Sequence, residues 1–306
     1  MENEPFTPKG RKQVEALKSS GAFALVELLV VISCIAVLTA ILLPVLASVR
    51  SRAQRLACMA NQREVVNGLS LFAADNEGRY PDSVATLRHG ISWGWQEPTM
   101  MTAYQNCFVG QHRSLGQYLN RYIGNAGVMF CPSAPARYRY LQESWDAGDD
   151  WDNPQTPADP QDMVLGTYCF YWNYVGHLGQ ESGPFRGPLG PSYRRKHSKL
   201  LVSDYFGYDY WRSPDSWGSC ERLNGATVTE GTPASSAYWS VPANQESVNQ
   251  ASLKVELHAG YVDGHVERYG PTQVAPMKVS WTPDGSEAVP SWLGKGTFYL
   301  PQNSLR

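Results

Sequence analysis

The chain has 306 residues, a net charge of −2 and only 18% charged residues, a balance that excludes a basic nucleic-acid-binding surface as the basis of function. Its 27 Gly, 21 Pro, 10 Trp and 17 Tyr favour strands, turns and long loops over a helical bundle. At this length, what remains after an N-terminal helix suffices for one sizeable or two small domains.

The first segment, residues 1–22, is short, polar and mildly basic. Lys9, Arg11, Lys12 and Lys18 stand against Glu2, Glu4 and Glu15. It reads as a cytoplasmic leader and not as a folded unit. A long apolar run follows, and between Phe23 and Leu46 its only charged residue is Glu27. As a helix rising 1.5 Å per residue this stretch spans roughly 36 Å, enough to cross a bilayer core of about 30 Å. Residues 23–46 are therefore the expected transmembrane span. An ionised carboxylate one turn into such a span costs a few kcal/mol, so its retention points to a use.

Three readings compete for this run. Val45-Leu46-Ala47 suits signal peptidase, but the apolar region is longer than a secretory signal needs. A plain anchor accounts for the length and leaves Glu27 without a role. Charge counting does not orient the span, since Arg50, Arg52 and Arg55 on one side nearly balance the basic residues on the other. The third reading comes from the residues Phe23-Ala24-Leu25-Val26-Glu27-Leu28-Leu29-Val30-Val31-Ile32, which resemble the N-terminus of type IV pilins and pseudopilins.

That resemblance implies a fold and a life history. A prepilin peptidase would cut before Phe23 and methylate the new amine. Glu27, four residues on, would pair with the amine of a neighbouring subunit, and Pro44 matches the proline that kinks the pilin helix. The family has Gly just before the cut. Here that residue is Ala22, with Gly21 one position earlier. Cleavage at Ala22–Phe23 keeps the register of Glu27 with the new amine, and cleavage at Gly21–Ala22 shifts it by one.

Beyond Ser51 the pattern turns amphipathic, with Leu56, Met59, Val66, Leu69 and Phe72 as the expected core face. One helix is expected over residues 23–74, stopped by Asp75-Asn76-Glu77-Gly78 with Gly78 suited to cap it. The stretch LFAADNEGRYPD is similar to the segment after the long helix of major pseudopilins. Further on, Met129-Phe130-Cys131-Pro132-Ser133, the aromatic strand Gly166–Tyr174, Ser198–Asp204 and Tyr261-Val262-Asp263-Gly264-His265-Val266-Glu267 follow in order. Together they resemble the large prepilin-like proteins of planctomycetes. In many of those a His precedes the last Asp-Gly at a longer spacing, which falls on Leu253 here, while His258 lies closer to the turn.

Asp263-Gly264 between apolar residues predicts a hairpin with a two-residue type I′ turn. His258 and His265 flank it and would face each other, either as ordinary hairpin packing or as a metal pair. The acidic run Trp145–Asn153 reads as a solvated loop, with calcium as the alternative because oxygen-rich loops hold that ion. The aromatic residues around Tyr168–Tyr174 and Trp211–Trp217 read as core, or as a sugar-stacking face. Ser203-Asp204 beside His197 is a chance triple, and no phosphate loop or nucleophile elbow is present in the sequence. Cys34 lies in the apolar run. Cys58, Cys107, Cys131, Cys169 and Cys220 follow it, an odd set whose pairing the sequence does not assign.

The expected architecture is α+β and pilin-like: a long N-terminal transmembrane helix packed on an antiparallel sheet, with residues 75–306 forming a β-rich extracytoplasmic domain. The resemblance implies a non-enzymatic pseudopilin-like subunit of a type II secretion or type IV pilus-related filament, with no cofactor. Its partners would be the prepilin peptidase, other pseudopilin subunits and the inner membrane. It would be a single-pass inner-membrane protein, assembled into a periplasmic or surface filament. The rivals are a membrane-anchored glycan-binding protein and, behind it, an anchored hydrolase.

Overall fold

The computed structural model describes residues 25–89, 92–95, 97–102, 114–132, 142–147, 164–179, 182–192, 196–205, 207–208, 257–280, 282–288 and 297–305. Two compact units divide the chain, Met1–Ser51 and Arg52–Arg306.

Helix α1 runs from Leu25 to Asp75, 51 residues, with Pro44 inside it. At 1.5 Å per residue it is about 77 Å long. In the first unit its side chains are exposed, Leu25, Leu38 and Leu43 among them. This helix is long and apolar enough to cross a membrane. Two hydroxyls of this stretch bond back to the helix. Ser33 Oγ donates to the Val30 carbonyl at 2.8 Å, and Thr39 Oγ1 to that of Ile35 at 2.9 Å. Such back-bonding suits a low-dielectric surrounding, where an unsatisfied hydroxyl is costly.

In the second unit one stripe of α1 becomes core: Cys58, Gln62, Val65, Val66, Leu69 and Ala73. The stripe advances by three and four residues, as a 3.6-residue turn requires. Val66 and Leu69 fall on the expected face. Leu56 does not, for it is 66% exposed. Two residues turn a helix by about 200°, so a core seeded at Cys58 puts Leu56 on the opposite side. Gln62 takes a core position that apolar periodicity could not assign. The helix ends where expected: the Gly78 N–H donates to the Ala73 carbonyl at 2.8 Å, with Glu77 and Gly78 both at positive φ.

The strands are β1 (Thr86–His89), β2 (Ser92–Trp95), β3 (Met100–Thr102), β4 (Val164–Leu165), β5 (Tyr168–Phe170), β6 (Val175–His177), β7 (Pro184–Arg186), β8 (Leu200–Asp204), β9 (Gly207–Tyr208), β10 (Leu257–Tyr261), β11 (Val266–Tyr269), β12 (Val274–Val279) and β13 (Thr297–Pro301). Short helices α2 (Leu115–Leu119) and α3 (Gln142–Ala147) lie between β3 and β4 in sequence. The strands form a four-stranded sheet, β11-β10-β8-β5, and a five-stranded one, β7-β6-β12-β13-β9, together with the pairs β1-β2 and β3-β4. Among the described residues every strand pairing is antiparallel. An antiparallel sheet with one N-terminal helix is thus the coarse architecture.

The second half of α1 lies against the four-stranded sheet. All five residues of β8 and of β10 are buried, so the centre of this sheet is covered on both faces. Gly260 makes the close approach possible, since a Cβ there would meet Val202 Cγ1 at 3.0 Å and Val66 Cγ2 at 3.1 Å. The hairpin from β10 to β11 forms as expected, but its turn differs. Tyr261 O accepts from the Gly264 N–H at 2.9 Å and the Tyr261 N–H donates to His265 O at 3.0 Å. Gly264 has φ +87 and Asp263 is not at positive φ. The loop is a type I turn closed by a left-handed glycine, not type I′.

Candidate functional site

Strand alternation sorts the sheet residues onto two faces. In register, Tyr168 of β5 lies opposite Asp204 of β8, Phe170 and Gly260 both lie opposite Val202, and His258 is two residues from Gly260. Tyr168, Asp204 and His258 therefore share the face under α1, on three adjacent strands. Gln62 meets them from the helix. Its Nε2 donates to Asp204 Oδ1 at 2.8 Å and to the His258 carbonyl at 3.3 Å. His258 gives Asp204 Oδ2 two bonds, from its backbone N–H at 3.0 Å and from Nδ1 at 2.6 Å. Gln62 and Asp204 are fully buried and His258 is 1% exposed.

A buried carboxylate persists only if paired and hydrogen-bonded, and three donors achieve that here. Gln62 Oε1 stays buried without an acceptor's partner. Beside this trio, Tyr168 OH donates to the Phe130 carbonyl at 3.2 Å, as does Asn61 Nδ2 at 3.0 Å. The Cys131 N–H donates to Thr167 Oγ1 at 2.7 Å, and Cys131 Sγ lies 2.9 Å from Cys58 Sγ. Burial pushes the Tyr168 phenol well above its ordinary pKa, and the neighbouring Cys131 and Asp204 add to the effect.

The Cys-Pro segment, the aromatic strand, the strand ending in Asp204 and the hairpin all converge here under α1. The chance triple of Ser203, Asp204 and His197 is not a unit. The histidine that reaches Asp204 is His258, not His197. Ser203 points to the opposite face, where its Oγ bonds Tyr171 OH at 3.2 Å and the Asp204 carbonyl at 3.0 Å. A carboxylate orienting a His Nδ1 is half of an acid–base device, but the adjacent serine is turned away from it. What this cluster does physically is fix α1 to β8 and β10 in one register.

His258 and His265 have separate partners. His265 is exposed, stacks on Tyr261 with ring centroids 4.4 Å apart, and bonds Asp263 through Nδ1. Burial is the largest single influence on Asp263 and raises its pKa, but the bonds and charge of His265 together outweigh it and hold the carboxyl below its usual range. Among the described residues no group of three or more His, Cys, Asp or Glu could hold a metal. Of the acidic run, Asp146 Oδ1 accepts from Gln142 Nε2 at 2.8 Å and Trp145 Nε1 donates to the Ile123 carbonyl at 2.6 Å. Residues 148–153 lie outside the described residues.

The aromatic strand is core. Tyr168, Tyr171, Trp172 and Tyr174 are each at most 1% exposed. Asn173, at φ +52, sends Nδ2 to the carbonyls of Tyr80 and Pro81 at 3.1 and 2.6 Å. The Arg-Tyr-Pro segment after the helix is thereby tied to the aromatic strand. Trp211 lies outside the described residues, as do Ala22 and Phe23. Glu27 is exposed in the first turn of α1, and the helix continues through Pro44. Comparison with protein-family models, curated proteins and solved structures finds no match to this chain.

Proposed function

We propose that the chain is a pseudopilin-like structural subunit of a type II secretion or type IV pilus-related filament, held in the inner membrane as a single-pass protein before assembly. The observation that carries the reading is the division of labour along α1. Its apolar stretch from Leu25 to Val49 is exposed, and its continuation is the core of the second unit. A lone anchor needs only the first property. A subunit drawn out of the bilayer into a helical bundle needs both, because the same helix must serve lipid, neighbouring helices and its own domain.

In this reading prepilin peptidase removes residues 1–22 and methylates the amine of Phe23. Glu27 then meets the Phe23 amine of the adjoining subunit, which offsets the cost of a carboxylate among apolar helices. The extracytoplasmic domain ends up on a periplasmic or surface filament. The glycan-binding rival loses the Tyr168–Tyr174 stretch as a stacking face, since Trp172 there is 1% exposed.

Intact-mass analysis of the protein from its native host tests the reading. The expected mature chain begins at a methylated Phe23. An N-terminus at Ser48, or Met1 retained in every sample, rejects it. Glu27→Ala is expected to leave the membrane level and the fold unchanged while lowering recovery in sheared filaments several-fold. Unchanged recovery rejects the pairing.

A further inference from the structure

Beyond Ser51, α1 carries a second face that stays exposed. On a helix turning about 100° per residue, the core stripe from Cys58 to Ala73 leaves the opposite side to Ala53, Leu56, Ala60, Asn67, Leu71 and Ala74. All six are exposed, Leu56 to 66% and Leu71 to 55%. Charge is sorted along the two edges of this stripe. Arg52 and Arg63 line one edge, and Glu64 and Asp75 line the other, about 120° further round. All four of these side chains are exposed as well.

The two edges also match in spacing. Arg52 and Arg63 are 11 residues apart, and so are Glu64 and Asp75. That is close to three whole turns, so each pair stands on one line with a separation of about 17 Å. Within one helix these edges point apart and do not face each other. Between two helices they can. Asp75 is steadied for such a contact, because Tyr122 OH donates to its Oδ2 at 3.0 Å.

We propose that this face docks a second copy of the chain in parallel, displaced along the helix axis by 12 residues, about 18 Å, so that Arg52 and Arg63 of one copy meet Glu64 and Asp75 of the other. Parallel packing sets the basic edge of one helix against the acidic edge of its neighbour. Antiparallel packing sets like edge against like, arginine against arginine. At this displacement Leu71 of one copy lies level with Met59 of the other, between the two ion pairs, and meets Leu56 and Ala60. The apolar stripe supplies attraction, and its alanines let the helices approach. Exposed ion pairs add little affinity, but they penalise every other register. Each copy uses its basic edge on one neighbour and its acidic edge on another, so the contact propagates and does not close into a pair. The inference rests on the filament reading for the supply of parallel neighbours, and it adds a face and a register.

Charge exchange in the full-length protein in its native host tests it. Arg52→Glu sets a carboxylate against Glu64 of the neighbour, and Glu64→Arg sets an arginine against Arg52. Each is expected to lower recovery in sheared filaments several-fold. The double variant rebuilds the pair with its signs reversed and should return recovery to within about twofold of the native level. Single variants that assemble like the native chain, or a double variant no better than the singles, overturn the proposal. A second arm needs no filament. With p-benzoylphenylalanine in place of Leu71, irradiation of the native membrane should link two copies, and mass spectrometry should place the link on residues 56–60 of the second copy. A link elsewhere, or none between copies, overturns the proposal too. If no filament forms yet the Leu71 link falls on 56–60, the filament reading fails and the contact stands. If filaments carry a methylated Phe23 and ignore the charge exchange, the contact fails and the filament reading stands.

Discussion

Asp204 shows how much can rest on one side chain. It is fully buried and accepts from Gln62 Nε2, from the His258 backbone and from His258 Nδ1, so it joins one helix to two strands. Asp204→Ala removes the acceptor and leaves three buried donors behind it. Breaking a buried, hydrogen-bonded pair from one side costs about 3–5 kcal/mol, a large part of a typical domain's stability. Gln62→Leu should cost less, about 1 kcal/mol. It takes away one donor to Asp204, but it also removes the buried Gln62 Oε1 that has no partner. Urea unfolding of the two variants checks the order. If Gln62→Leu proves the more damaging, the carboxylate is not the centre of the cluster.

At the scale of elements, α1 and its packing partners decide the fold. Gly68 is where the helix comes closest to the segment after α2, since a Cβ there would meet Ile123 Cγ1 at 2.5 Å and Cδ1 at 2.7 Å. Gly68→Ala is therefore expected to destabilise by about 1–3 kcal/mol, despite the helix propensity that Ala adds. Restoring space with Ile123→Val should recover part of the loss, and thermal melting of the single and double variants measures the coupling. If Gly68→Ala alone raises the melting temperature, the close approach is wrong. The helix itself was readable in the sequence because its signals are local: an unbroken apolar run, a three-and-four spacing, then Asp-Asn-Glu-Gly. The hairpin at Asp263-Gly264 was readable for the same reason. Its turn type was not, because Asp-Gly serves both type I′ and a type I turn with a left-handed glycine, and the wider loop decides between them. The Gln62–Asp204–His258 cluster was out of reach altogether. Gln62 stands 142 residues from Asp204 and 196 from His258 in sequence, and a glutamine on a helix carries no periodic signal that marks it as core. The histidine nearest to Asp204 in sequence, His197, is no guide to it, because strand pairing of β8 with β10 brings His258 to Asp204 instead.

For the molecule as a whole, the aromatic residues of the Tyr168–Tyr174 stretch, read from the sequence as core or as a sugar-stacking face, are the interior of the second unit, and this sets its alkaline limit. Burial pushes Tyr80 up to about 12 and holds Tyr168, Tyr171 and Tyr174 well above the ordinary value of 10.0. All four pKa values are raised by folding, so the stability they contribute is complete below pH 10. It is lost as pH rises from there towards the folded values, because the unfolded chain releases these protons first. Each such group shifts the balance towards unfolding as pH rises above its unfolded pKa. Four groups act in the same direction, against a domain stability that is itself marginal. A pH titration followed in parallel by phenolate absorbance and by circular dichroism is expected to show two phases. Accessible tyrosines ionise smoothly near pH 10. A second set ionises in a steep step above it, at the same pH as the loss of β-sheet signal. Tyr171→Phe keeps the ring in the core and gives up only the hydroxyl, whose partner is Ser203 Oγ at 3.2 Å. It should move the steep step to higher pH, since one fewer proton is released on unfolding. A single smooth titration centred near pH 10 with the sheet signal intact would mean that these phenols reach solvent in the folded protein.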